Sequence, residues 1–180
     1  MRVVLDACVL YPTVLRELLL GAAEAGLFTP LCSARILEEW ARAVECNLPD
    51  QAAVARTEIA LLKSRWPEIE VPAKPDLQAR LVLPDPDDTH VLTAAITGRA
   101  TVLVTANAAD FPHRVLAKYG ILRRDPDGFL CDFLQDHRAV LTQVCQNVRQ
   151  RASEISARPQ DLRLLLKKAR LPRLSKAMSL

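Results

Sequence analysis

Short apolar runs that end at acids, separated by stretches of helical period, constrain this chain more than any other feature. Arg2-Val3-Val4-Leu5 is too short for a helix, apolar enough for a buried strand, and stops at Asp6. Thr101-Val102-Leu103-Val104-Thr105 has the same character and opens into Ala106-Asn107-Ala108-Ala109-Asp110. Between these runs the period changes. Val14, Leu15, Leu18, Leu19 and Ala22 recur at helical spacing after Tyr11-Pro12, and Gly26 stands where a helix C-terminal glycine belongs. A brief strand is expected over 28–32. Behind it Ser33 suits an N-cap, and Ile36, Leu37, Trp40, Ala41 and Val44 lie on one helical face. Leu48-Pro49-Asp50 breaks that helix, and another is expected from 51 to about 65. The proline-rich stretch 67–75 connects, with a short strand at Ile69-Glu70-Val71.

Leu81-Val82-Leu83 reads as a strand that stops at Pro84-Asp85-Pro86-Asp87-Asp88. From Asp88 a helix carries Val91, Leu92, Ala95 and Ile96 inward and ends at Gly98. Strands alternating with helices imply a parallel sheet with right-handed crossovers. Beyond Leu122 only helical patterning follows, over roughly 127–136, 138–156 and 160–169, with a short helix near the end. The expectation is an α/β, Rossmann-like parallel-sheet sandwich over 1–122 with a helical C-terminal extension over 123–180.

A chain of 180 residues, half of them hydrophobic and 25% charged, can bury a substantial core and is unlike a disordered one. Apolar runs fall short of the roughly 18 residues that a membrane span needs. Met1-Arg2-Val3-Val4-Leu5-Asp6 reaches an acid too soon for a secretory signal, so a cytoplasmic protein is expected. The five cysteines (Cys8, Cys32, Cys46, Cys131 and Cys145) are odd in number and form no Cys-x-x-Cys pair. Reduced, mostly buried thiols are the expectation. Charge is uneven: residues 1–120 hold 12 Lys+Arg against 15 Asp+Glu, residues 121–180 hold 12 against 6. An acidic body with a basic tail suits a site that gathers cations beside a surface that meets phosphates, though a solvated tail has the same composition.

Asp6 and Asp110 each follow a strand, and Asp85, Asp87 and Asp88 follow a third apolar run. Ligands of open parallel sheets bind outside the carboxyl ends of the strands, so these acids are expected to converge. Like charges a few ångströms apart raise one another's pKa. A hard divalent cation relieves that repulsion, and it can activate water and clamp the oxygens of an in-line phosphoryl displacement.

Four segments in order carry a resemblance. They are Val4-Leu5-Asp6-Ala7-Cys8-Val9-Leu10-Tyr11-Pro12, Ser33-x-x-Ile36-Leu37-Glu38-Glu39-Trp40, Pro84-Asp85-Pro86-Asp87-Asp88-Thr89-His90-Val91-Leu92, and Val104-Thr105-Ala106-Asn107-x-x-Asp110-Phe111-Pro112. Together they resemble the PIN-domain ribonucleases, in particular the branch of toxins from type II toxin–antitoxin pairs. The resemblance implies a PIN-like fold and an endoribonuclease that cuts single-stranded RNA with Mg²⁺ or Mn²⁺. Asp6, Glu39, Asp88 and Asp110 match the family's catalytic acids, with Asp6, Asp88 and Asp110 as metal ligands. Thr105 and Asn107 match residues that orient metal, waters or substrate. A cognate antitoxin protein and a homodimer are implied as partners; that no membrane is involved is expected from the short apolar runs instead. Two positions depart from the pattern. Cys8 stands where Asn is frequent, and Asn107 stands where Asp is common.

Blander readings exist for each residue. Asp6 and Asp110 suit turns, and acids at 85, 87 and 88 suit a helix N-terminus through the macrodipole. Glu38 and Glu39 flank their apolar face about equally, so periodicity does not choose between them. A lone His90 at a helix start is more often structural than catalytic. Trp40 belongs to an apolar face, while Trp66 has the ring for base stacking. Arg123-Arg124 and Lys167-Lys168-x-Arg170 either touch phosphate or form a solvated face. Rival functions are a non-catalytic RNA-binding or regulatory module, for which Asn107 speaks, and a phosphatase-like hydrolase with Asp6 as nucleophile. The latter would place a second Asp two residues on, where Cys8 stands.

Overall fold

A computed structural model describes residues 1–178. Along the chain run β1 (Arg2–Leu5), α1 (Ala7–Leu10), α2 (Thr13–Glu24), β2 (Thr29–Ser33), α3 (Ala34–Asn47) and α4 (Ala52–Arg65). Then come β3 (Glu70–Val71), α5 (Pro75–Gln78), α6 (Thr89–Thr97), β4 (Val102–Val104), α7 (His113–Leu116) and β5 (Leu122–Arg124). Helices α8 (Pro126–Asp132), α9 (Leu134–Ile155), α10 (Leu162–Lys168) and α11 (Pro172–Ala177) close the sequence. The five strands form one sheet in the order β3-β2-β1-β4-β5. All four pairings are parallel. The expected α/β parallel-sheet fold with C-terminal helices is therefore present.

The described chain divides into two compact units, one of Met1–Tyr11 with Thr29–Arg124, the other of Pro12–Phe28 with residues from Asp125 onward. In the first, Val3, Val4, Leu5, Leu31, Cys32, Leu103 and Val104 are wholly buried, which is why these strands read as continuous apolar runs. Ser33 caps α3 as expected, its side chain accepting from Ile36 N at 3.2 Å. Ile36, Leu37 and Trp40 of that helix are buried, as are Val91, Leu92 and Ala95 of α6. Helix α6 ends close to the sheet at Gly98, where a Cβ would lie 2.8 Å from Leu31 Cδ1.

Two expectations need correction. Leu81-Val82-Leu83 joins no strand: Leu81 and Leu83 are buried and Val82 is 80% exposed, so the alternation anchors an extended connection without a ladder. Conversely, β5 lies where only helices were expected, pairing Val102 with Leu122 and Val104 with Arg124. As an edge strand with an exposed leucine followed by two arginines, it lacks the apolar alternation that marks a strand. The thiols are also less buried than expected. Among five free cysteines only Cys32 and Cys145 are buried, while Cys8 and Cys46 are exposed.

In the second unit α2 packs against α9, closely enough that a Cβ on Gly21 would meet Val144 Cγ1 at 2.9 Å. Phe28, Phe129 and Phe133 cluster, with edge-to-face pairs at 5.1 and 5.2 Å. Among the described residues no helix is long and apolar enough to cross a membrane.

Candidate metal centre

Strands β2 and β3 lie on one side of β1, and β4 and β5 on the other, so the order reverses between β1 and β4. A crevice opens at such a switch point, beyond the carboxyl ends of the strands. Asp6 follows β1 and donates its backbone N–H to Val104 O at 3.2 Å. Thr105 follows β4. Both side chains are buried, Asp6 at 7% and Thr105 at 2% exposure. The Thr105 hydroxyl donates to Asp6 Oδ2 at 2.7 Å, and Asn107 N donates to Thr105 Oγ1 at 2.9 Å. Cys8 adds a second donor to Asp6 Oδ2, its Sγ 3.0 Å away, and accepts from Ala106 N at 3.3 Å. Although the residue as a whole is exposed, the protein around its sulfur removes water from it, and this desolvation with the adjacent Asp6 charge pushes the thiol up to about 12, which keeps it a protonated donor.

Three further acids form a set that does not include Asp6, although its charge reaches Asp88. Asp85, Asp88 and Asp110 each offer a carboxylate oxygen, and those oxygens all lie within 4.8 Å of one another. Asp85 Oδ1 accepts from Asp87 N at 2.9 Å, which turns the loop ahead of α6. The Asn107 amide donates to Asp88 Oδ2 at 3.4 Å and also to Asp110 Oδ2. Asp88 is pushed up to about 6, first by burial and then by the charges of Asp6, Asp85 and Asp110, with His90 partly offsetting them. A donor set of carboxylate oxygens short of positive charge fits a hard divalent cation such as Mg²⁺ or Mn²⁺.

That shift has a sign in stability. Because the folded state holds the Asp88 proton more tightly than the unfolded chain does, metal-free stability falls as pH rises from about 4 to about 6. Above that window the penalty is complete. Since Asp88 is half exposed, water screens it, and the cost is about 1 kcal/mol. Asp88→Asn is thus expected to melt a few degrees higher than the parent at pH 7 in EDTA, with the difference vanishing near pH 4. A lower melting temperature at pH 7 would contradict the crowding of these acids.

Glu39 is placed differently from the aspartates. Its Oε1 receives Arg35 Nε at 3.0 Å and His90 Nε2 at 3.0 Å. Burial alone would raise its carboxyl, but His90 and Arg35 together hold it below the usual range. Arg35 also donates to Asp87 O at 3.2 Å, joining α3 to the acidic loop. Glu38 faces elsewhere, paired with Arg42 at 3.0 Å and with Arg56 of α4 at 2.7 Å. Thus Asp88, Asp110 and Asn107 meet directly and Asp6 and Thr105 adjoin them, while Glu39 is engaged with a cation and a histidine. Asp85 was among the acids expected to converge, but the resemblance favoured Asp88 of the three in its loop. It looks like a capping acid between two prolines, and it is one. His90 donates through Nε2 to Glu39, and its Nδ1 is buried without a partner. Trp40 is core at 1% exposure, and the Arg65 guanidinium lies 5.8 Å from the Trp66 ring.

The family model for the PIN domain matches residues 2–109. The chain belongs to the PIN-domain family. A stretch of 47 residues is 49% identical to a Mycobacterium tuberculosis protein named "Putative ribonuclease VapC50". That stretch is 26% of this chain and 28% of that protein, so it spans little more than a quarter of the relative. No solved structure matches the chain.

Within this PIN domain the amide of Asn107 sits between two carboxylates where a third carboxylate would add to the negative set. Asn107→Asp is expected to tighten Mn²⁺ binding by about tenfold, a gain of ~1.4 kcal/mol, and to lower metal-free stability by repelling Asp88 and Asp110. Calorimetric titration and a melt in EDTA measure both. Weaker Mn²⁺ binding in this variant would show that the amide itself organises the acids.

Proposed function

We propose that this chain is a divalent-metal-dependent endoribonuclease acting on single-stranded RNA in the cytoplasm, the toxin of a toxin–antitoxin pair. The carrying observation is the convergence of Asp85, Asp88 and Asp110 oxygens within 4.8 Å at the sheet's switch point, on a carboxyl pushed up to about 6. The family membership and the ribonuclease name of the M. tuberculosis relative support the same reading. Asp6, Asp88 and Asp110 hold Mg²⁺ or Mn²⁺ in this proposal, with Asp85 as an added donor. When bound, such an ion supplies a Lewis acid that stabilises negative charge developing on phosphoryl oxygens.

The chain's own residues do the rest. Thr105 and Cys8 donate to one oxygen of Asp6, which fixes the carboxylate. Asn107 spaces Asp88 from Asp110 and orients both. Glu39, with Arg35 and His90, completes the catalytic set by holding the acidic loop and the start of α6 in register. In this proposal Asn107 would also orient substrate, and Thr105, buried at 2% exposure, would act through Asp6. A cognate antitoxin protein would cover the acidic crevice, and a second copy of the chain would be its partner in the active assembly.

A single observation favours a second reading. The Asn107 amide already donates to two of the three acids, as a cation would, so the chain could bind RNA without cutting it. Titration with Mn²⁺ beside a cleavage assay on a single-stranded RNA separates the two. Binding of Mn²⁺ with EDTA-sensitive cleavage supports the nuclease. RNA binding without Mn²⁺ binding or cleavage overturns it in favour of the second reading.

A further inference from the structure

The loop that carries Asp110 is tied at its start by Ala106 N to Cys8 Sγ and by Asn107 N to Thr105 Oγ1. Ala106, Ala108 and Ala109 are exposed or partly so and offer no side chain to anchor the backbone, whereas Phe111 is wholly buried just beyond. One long side chain crosses to this loop from the sheet. Arg123 lies in the middle of β5, in register with Leu103 of β4. Its Nη1 donates to the carbonyl oxygen of Ala108 and to that of Phe111, the latter at 2.8 Å. These two carbonyls bracket Asp110 in the chain. Its Nη2 donates to His113 Nε2 at 3.0 Å, which places that imidazole's own proton on Nδ1.

We propose that Arg123 is a positioning residue, a clamp that fixes the loop carrying Asp110 so that its carboxylate meets Asp88 in the metal site. The proposal rests on the nuclease reading above and adds a residue to it. The planar guanidinium matters, not the charge alone. A rigid fork with several donors bridges two carbonyls and an imidazole at once, while an ammonium is a compact point charge that cannot span them. The alternative for an arginine at the rim of a nuclease crevice is direct contact with substrate phosphate. That role would need only charge, and lysine would largely preserve it.

The test compares Arg123→Ala and Arg123→Lys with the parent, by calorimetric titration with Mn²⁺ and by steady-state cleavage of a single-stranded RNA, each after a thermal melt to confirm folding. If the clamp is right, both variants lose about tenfold in Mn²⁺ affinity and a similar factor in kcat, with KM for RNA within twofold of the parent. Millimolar methylguanidinium is then expected to restore part of the Mn²⁺ affinity of Arg123→Ala. Unchanged Mn²⁺ affinity in both variants overturns the clamp. So does a raised KM with unchanged kcat in Arg123→Ala that lysine repairs, since that is the signature of a phosphate contact. Should the parent protein itself neither bind Mn²⁺ nor cut RNA, the reading of the site fails first and the clamp with it.

Discussion

Asp6→Asn is expected to lower Mn²⁺-dependent cleavage of single-stranded RNA by about a thousandfold or more, equivalent to roughly 4 kcal/mol of barrier, while leaving the protein folded. Asp6 is buried beside the switch point, and its Oδ2 takes hydrogen bonds from Thr105 and Cys8. An asparagine oxygen can still accept from both, so the local geometry survives. What disappears is the negative charge that reaches Asp88 and contributes to raising it. Under the proposed function its removal takes away one of the groups assigned to the ion, and it eases the crowding of the remaining acids. The metal-free variant is therefore expected to melt at or slightly above the parent temperature. Cleavage of a fluorescent oligoribonucleotide, with and without EDTA, measures the first effect, and calorimetry the second. A variant that cuts within threefold of the parent would remove Asp6 from the machinery. A folded variant that has lost activity but also melts far lower would mean its role is structural.

The second large effect lies in the other unit. Asp127 of α8 is buried at 5% exposure and accepts from the first turn of α11, from Arg173 N at 2.9 Å and Leu174 N at 3.0 Å. Arg173 Nε adds a third bond at 3.2 Å, while its Nη2 reaches Asp125 at 2.6 Å. Pro172 opens α11, so two of the orphan N–H groups of that helix start are satisfied by one carboxylate from another helix. Asp127→Ala leaves both amides buried or half-buried without an acceptor and takes a charge partner from Arg173. The expected loss is about 3 kcal/mol, because two helix-start amides lose a charged acceptor away from solvent, while the exposed Arg173 side chain adds little. For a chain of this size that corresponds to a melting temperature lower by about 6–12 °C. Asp127→Asn keeps one acceptor and should lose about half as much. A melt of Asp127→Ala within 2 °C of the parent would show that α11 is held by apolar contacts alone. Leu174 of that helix, wholly buried, is where to look next in that event.

Much of the first unit was legible before any coordinates. The buried strands β1 and β4, the cap at Ser33, the apolar face of α3 and the acids after the strands all follow from period and residue type acting within a few neighbours. The order of acids along four segments also carried the family. Other features were hidden for definite reasons. Strand β5 is an edge strand whose arginines mask its pattern, and its pairing with β4 depends on residues some twenty positions upstream. Leu81-Val82-Leu83 alternates like a strand, yet alternation reports only which side chains are buried. Glu38 and Glu39 were indistinguishable by period, and only the positions of Arg56 on α4 and His90 on α6 separate them.

By itself, then, the amino-acid order determined the element types, the direction of the sheet and the residues available for chemistry, because those depend on local propensity and on burial periodicity. The tertiary structure alone decided that Asp85 joins Asp88 and Asp110, that Asn107 stands between two acids, that Arg123 holds the loop beside them and that α2 packs on α9. These are contacts between groups far apart in the chain. Their formation depends on how strands and helices pack in space, and no short-range pattern encodes a distance across a crevice.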